Sequence, residues 1–163
     1  MDVFEKIEKE RGLVARIYSD FSAFPESVAA HYELNKVLML NDGPLCRADR
    51  EFLAVSVSAY NQNTYCLTHH NRALDTQRNV DGSAEIPIER SSILGRMARE
   101  LSDRPVHPFR YYTNTFKKDF LKAGYNEAQW VHAINIIAYF NFTNRLSYAT
   151  AMEVEEGYEQ SCN

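Results

Sequence analysis

Asn63-Thr64-Tyr65-Cys66-Leu67-Thr68-His69-His70 is the stretch on which this chain turns, with Glu51 twelve residues ahead of Asn63. Cys66 and His70 stand four residues apart, so a helix puts them on one face. Only a deprotonated sulfur attacks, and an imidazole can take its proton. Against that stands the commoner fate of a cysteine on an apolar helix face, which is to serve as a small core residue. Zinc is not expected. The chain has three cysteines and five histidines, but Cys46 and Cys162 stand isolated and no second pair has finger-like spacing. His69 and His70, being adjacent, point about 100° apart on a helix and cannot both face one ion.

The surroundings favour a site. Asn63 is a good N-cap residue, because its side-chain oxygen can accept the N–H of a residue two or three positions on. Cys66 then falls in the first turn, where unpaired amides and the positive end of the helix dipole favour a thiolate. The preceding segment reads as another helix, with apolar residues around Phe52, Val55 and Ala59 flanked by Leu53 and Val57. Glu51 comes one residue before that apolar face. Pointing inward it would orient His70 and raise its basicity; pointing outward it would be an ordinary solvated carboxylate near a helix N-terminus.

Helical spacing dominates the rest of the chain and strand alternation is scarce. Helices are expected over 3–10, 13–21, 26–40, 48–60, 64–78, 93–101, 114–123 and 127–152, which is an all-α bundle. Turns are expected at Asn41-Asp-Gly-Pro44, Asp81-Gly-Ser and Asp103-Arg-Pro-Val-His-Pro108, and His107 reads as a loop residue between two prolines. At 163 residues the chain fits one domain, 1–163. With 18 basic against 22 acidic residues and no basic run, nucleic-acid binding is not expected. No apolar run is long enough to span a bilayer, and the charged segment Met1-Asp-Val-Phe-Glu-Lys-Ile-Glu-Lys-Glu10 is not a signal peptide. Three cysteines make no disulfide framework, so a cytoplasmic location is expected. In the last helix Trp130, Ile134, Ile137, Phe140 and Phe142 spread over more than one core stripe, which suggests burial against another chain as well as its own core. Asn141, Asn144 and Arg145 punctuate that helix, either as a polar cluster or as a solvated stripe.

Glu51, about a dozen residues, and then Cys66-x-x-x-His70 on two consecutive helices resembles the carboxymuconolactone decarboxylase and alkylhydroperoxidase AhpD-like family, and within it the peroxidase-related branch. Three segments carry the resemblance: Pro44-Leu-Cys-Arg-Ala-Asp-Arg-Glu51-Phe-Leu-Ala-Val-Ser-Val-Ser58, the Cys66/His70 stretch, and Ala138-Tyr-Phe-Asn-Phe-Thr-Asn-Arg-Leu146. It implies an AhpD-like helical bundle that needs no cofactor and reduces a small hydroperoxide at a thiol. Cys66 would be the peroxidatic thiol, with His70 and Glu51 as its proton relay. It also implies a homo-oligomer, a hexamer before a trimer or a dimer.

The chain departs from the family at Asn63, where the motif's first cysteine stands, and at Tyr65, where some members carry a further histidine. A two-cysteine cycle inside the motif is therefore excluded. What remains is a sulfenic acid on Cys66 rescued by an external thiol. Cys46 lies ahead of the Glu51 helix with nothing to bring it to Cys66, and Cys162 is second from the end. Asn63, Tyr65 and His69 are expected to line the substrate pocket or cap the helix. Two other functions stay open: a lactone decarboxylase using His70 as acid and base, which would need a cationic pocket, and a non-catalytic or sensory homologue whose motif persists as a cap and core thiol.

Overall fold

The computed structural model describes residues 2–80, 86–103 and 110–159. Among these the chain forms eight α-helices and no strand: α1 (Val3–Arg11), α2 (Arg16–Ser19), α3 (Pro25–Asn35), α4 (Arg47–Tyr60), α5 (Thr64–Val80), α6 (Ile88–Ser102), α7 (Lys117–Lys122) and α8 (Glu127–Ala149). Two π-helical turns, Lys36–Leu40 and Tyr112–Phe116, lead out of α3 and into α7. Cys162, His107 and the connection at 81–83 lie outside the described residues.

Local chemistry sets the helix ends. Asp2 and Glu5 form a capping box at α1, and Gly12, at φ 76°, stops that helix in the left-handed region. Pro25 occupies the first turn of α3. At α8 the Asn126 side chain accepts the Gln129 amide at 3.0 Å, while the Gln129 side chain accepts the Asn126 amide at 2.8 Å. The 13–21 expectation shrinks to four residues. Beyond Ser19 the amides of Phe21, Ser22 and Phe24 reach back only three residues, to Tyr18, Ser19 and Phe21, so the chain tightens into turns.

Helix α4 runs through the middle, packed by α5, α6 and α8. Its Leu53, Ala54 and Val57 meet Leu94 and Met97 of α6, Phe116, Phe120 of α7, and Ala133, Ile136, Ile137 and Phe140 of α8 in the main core. A second cluster gathers Ile7, Tyr18, Val28 and Tyr32 from α1 to α3. The buried face of α4 is rotated from the expected one. Phe52 and Val55 are only half-buried and Ala59 is exposed, whereas Asp49, Arg50, Glu51, Leu53, Ala54, Val57 and Ser58 are buried. Because α4 is enclosed on several sides, its first turns bury charge, and each charge finds a partner. Asp49 accepts from Arg90 at 2.6 Å, and Arg50 donates to the carbonyls of Met39 and Asn41. That rotation turns Glu51 inward.

Candidate active site

Glu51 has no exposed surface, and its two oxygens face the Arg47 guanidinium and the His70 imidazole. Oε1 accepts from Arg47 Nε at 2.6 Å and Oε2 accepts from His70 Nδ1 at 2.6 Å. Burial works to raise the Glu51 carboxyl, but His70 and then Arg47 outweigh it and hold the group below the usual carboxylate range. An ionised Glu51 fixes His70 with its proton on Nδ1 and leaves Nε2 to accept one. The edge of Phe140 lies against the His70 ring, with centroids 4.6 Å apart at 85°.

Asn63 caps α5, as its type suggests: its Oδ1 accepts the Cys66 amide at 2.9 Å. The other half of the amide does more. Nδ2 donates to the Asn144 carbonyl at 3.1 Å and to Ser147 Oγ at 2.6 Å, which locks the start of α5 onto α8. Cys66 is only 5% exposed. Burial pushes its thiol up to about 12, against a smaller downward influence of the Thr143 and Ser147 hydroxyls of α8. The thiolate expected from the helix dipole is therefore not the resting state, because desolvation outweighs the first-turn amides.

The adjacent histidines serve different partners. His70 turns to Glu51, whereas His69 sets Nδ1 3.0 Å from the Tyr65 carbonyl and Nε2 3.4 Å from Glu155 Oε1. Tyr65 donates its hydroxyl to the same Glu155 oxygen at 3.2 Å and receives the Ile17 amide.

Glu51, Tyr65, Cys66, His69 and His70 all line one cavity of about 90 Å³, together with Arg11, Arg47 and Thr143. Its remaining wall is largely apolar and aromatic, including Ile7, Tyr18, Met39 and Tyr139. Asn63 is not among its lining residues, and neither is Cys46, exposed at the start of α4. Asn141 and Asn144 bind the protein itself: Asn61 donates to the Asn141 side chain at 3.0 Å, and Asn144 donates to Ser58 at 3.2 Å. Arg145, on the exposed side, donates to the Asn141 carbonyl at 2.6 Å. Among the described residues, no three of His, Cys, Asp and Glu gather as metal ligands would.

Arg47, Thr143, Ser147 and Glu155 were not foreseen from the sequence. Arg47 and Glu51 stand at helical i, i+4 spacing, and so do Thr143 and Ser147, which is a readable signal. Glu155 has none, since its partners come from α2 and α5.

A solved structure with the same architecture is an uncharacterized peroxidase-related protein from Silicibacter sp. TM1040, at TM-score 0.79 and 24% identity over 98% of this chain and 86% of that one. The chain has the AhpD-like fold. A second AhpD-like structure, described as alkylhydroperoxidase AhpD core, an uncharacterized peroxidase-related protein from Ralstonia eutropha JMP134, superposes at TM-score 0.78 and 19% identity, again over 98% of this chain and 86% of that one. No family model and no curated protein matches this AhpD-like chain. Among the described residues no helix is long and apolar enough to cross a membrane.

Proposed function

We propose that this protein reduces small organic hydroperoxides at Cys66. The supporting observation is the Glu51–His70 hydrogen bond of 2.6 Å on the wall of the cavity that Cys66 also lines. His70 Nε2 takes the thiol proton as Cys66 Sγ attacks the distal peroxide oxygen. The O–O bond breaks, the S–O bond forms, and the departing alkoxide recovers the proton from His70. Cys66 thiol and hydroperoxide thus become sulfenic acid and alcohol. Glu51 stabilises the imidazolium that forms in between, and Arg47 keeps Glu51 ionised. Because the resting thiol is protonated, deprotonation is coupled to attack.

Two equivalents of an external thiol restore Cys66, since Asn63 occupies the position of a partner cysteine. Such a cycle suits the reducing cytoplasm, and the likeness to two peroxidase-related proteins supports the same chemistry. No cofactor is needed. A homo-oligomer, with a hexamer foremost, fits the apolar residues that α8 leaves exposed, Val131, Ile134 and Phe142.

One observation favours a second reading, in which the fold persists without redox chemistry: Cys66 is buried and its thiol is pushed up to about 12. A single experiment separates the two. Hydroperoxide consumption with a thiol reductant is expected in the wild type, to vanish in Cys66→Ser, and to fall about 100-fold in His70→Ala. Undiminished turnover in Cys66→Ser would sink the thiol mechanism. A wild type that neither consumes hydroperoxide nor forms a sulfenic acid would establish the redox-silent reading.

A further inference from the structure

Beyond α8 the backbone reverses at Ala151, which sits at φ 48°, and the Met152 amide donates to the Ser147 carbonyl at 2.9 Å. The segment 152–158 then returns across the start of α5. Met152 is buried against Tyr65 and Cys66, with Ile17, Phe21 and Val154 around them. Glu155 fastens the segment through one oxygen. Oε1 accepts from the Tyr65 hydroxyl at 3.2 Å and from the Arg16 amide at 3.2 Å, and His69 Nε2 lies 3.4 Å from it. Its other oxygen, Oε2, is buried without a donor among the described residues. The Tyr158 ring meets the His69 ring edge-on at 5.1 Å.

A sulfenic acid on Cys66 has to be met by the sulfur of a second molecule. Cys66 is only 5% exposed, and Met152 of this segment packs against it. A short hydroperoxide is small enough for the cavity that Cys66 lines, whereas a thiol the size of a tripeptide has to bring its whole bulk up to the same buried sulfur. Cys66 is otherwise enclosed by helices, whereas 152–157 is turn and irregular backbone, seated through Met152 and Val154 and fastened by Glu155. Lifting it would also hydrate the unpartnered Glu155 oxygen, which lowers the cost of opening.

We infer that 152–158 is a strap that opens to admit the reducing thiol to Cys66, while the hydroperoxide enters through the cavity. The inference rests on the peroxidase reading for its purpose, though not for its geometry. With the strap lifted, the thiol sulfur attacks the Cys66 sulfenic acid, an S–S bond forms, the S–O bond breaks, and water leaves with the thiol proton. A second thiol attacks the mixed disulfide, releases the symmetrical disulfide and returns Cys66 as the thiol.

The test uses the full chain carrying Cys46→Ser and Cys162→Ser, so that Cys66 is the remaining thiol. Alkylation by iodoacetamide and by a bulky maleimide is timed in this background and in Glu155→Ala, Glu155→Gln and Tyr158→Ala. Urea unfolding checks that each variant is folded. The maleimide rate is expected to rise about tenfold or more in Glu155→Ala, less in Tyr158→Ala, and least in Glu155→Gln, which keeps an acceptor oxygen. The iodoacetamide rate should move far less. Recycling of hydroperoxide-oxidised Cys66 by glutathione should quicken in the same order. Equal maleimide rates in all four proteins would overturn the strap, whether or not Cys66 is a peroxidatic thiol. Faster labelling with no oxidation of Cys66 in any of them would leave a strap but overturn its role, together with the peroxidase reading.

Discussion

His31 shows what burial does to a titratable side chain with no counter-charge. Its Nε2 accepts from the Tyr139 hydroxyl at 2.8 Å, and its rings of contact are aromatic, Tyr18, Tyr139 and Phe142. Burial lowers it from 6.5 to about 4. The unfolded chain therefore binds a proton below pH 6.5 that the folded protein refuses. Stability is full above that pH and is lost as the pH falls toward about 4. At 1.36 kcal/mol per unit the loss reaches about 3 kcal/mol. Urea midpoints of His31→Gln should stay flat across this window while the wild type declines; parallel curves would assign the acid sensitivity to another group. Glu51 is the opposite case, buried but faced by His70 and Arg47, and it remains charged. The spacing of Glu51, Cys66 and His70 made that trio legible in advance. The acidity of Cys66 was not, because it depends on the α8 hydroxyls and on desolvation, neither of which is written near Cys66.

Between α4 and α5 the chain reverses in very few residues, and Gln62 takes the strain at φ 56°. Tyr148 donates its hydroxyl to the Asn61 carbonyl, and Asn141 ties the Asn61 side chain to Ser102, so the reversal is clamped to α8 and α6. A glutamine in the left-handed region costs about 1–2 kcal/mol, from which a glycine escapes at some cost in chain entropy. Gln62→Gly should accordingly stabilise the protein by about 0.5–1 kcal/mol, read as a higher midpoint in thermal melting. A lower midpoint would mean that the glutamine side chain contributes more than its backbone loses. Helices with strong caps, such as α8 with Asn126 and Gln129, were readable from sequence to within a few residues. The π-helical turns were not. Lys36–Leu40 continues α3 with the same residue types and packs against α4 and α8, contacts that local sequence does not announce. Likewise the start of α2 is fixed by partners from elsewhere, since Glu155 and Tyr65 take the first amides of that helix, those of Arg16 and Ile17.

On the scale of the molecule, α8 presents two faces. Trp130, Ile137 and Phe140 belong to the core, while Val131, Ile134 and Phe142 remain exposed, Phe142 with its ring against His31 of α3; Leu34 of α3 and Val37 of the turn that follows it are exposed as well. The expectation of a helix apolar over much of its circumference was sound, but its outer side is uncovered in a single chain. A second copy of the chain is the occupant proposed here, since one continuous apolar stripe on a long helix suits a symmetric pairing. Light scattering should find an oligomer for the wild type and a smaller species for Phe142→Glu. A monomeric wild type would remove the proposal.

The bonds from Asn63 to α8 carry a consequence for the newly made chain. α5 leaves the ribosome well before α8, and until then the Asn63 amide has no Ser147 to hold and the sulfur no Thr143 above it. During that interval Cys66 is an ordinary thiol, titrating near 8.5 and open to any oxidant. The residue that the finished protein shields so well is thus chemically most vulnerable during synthesis.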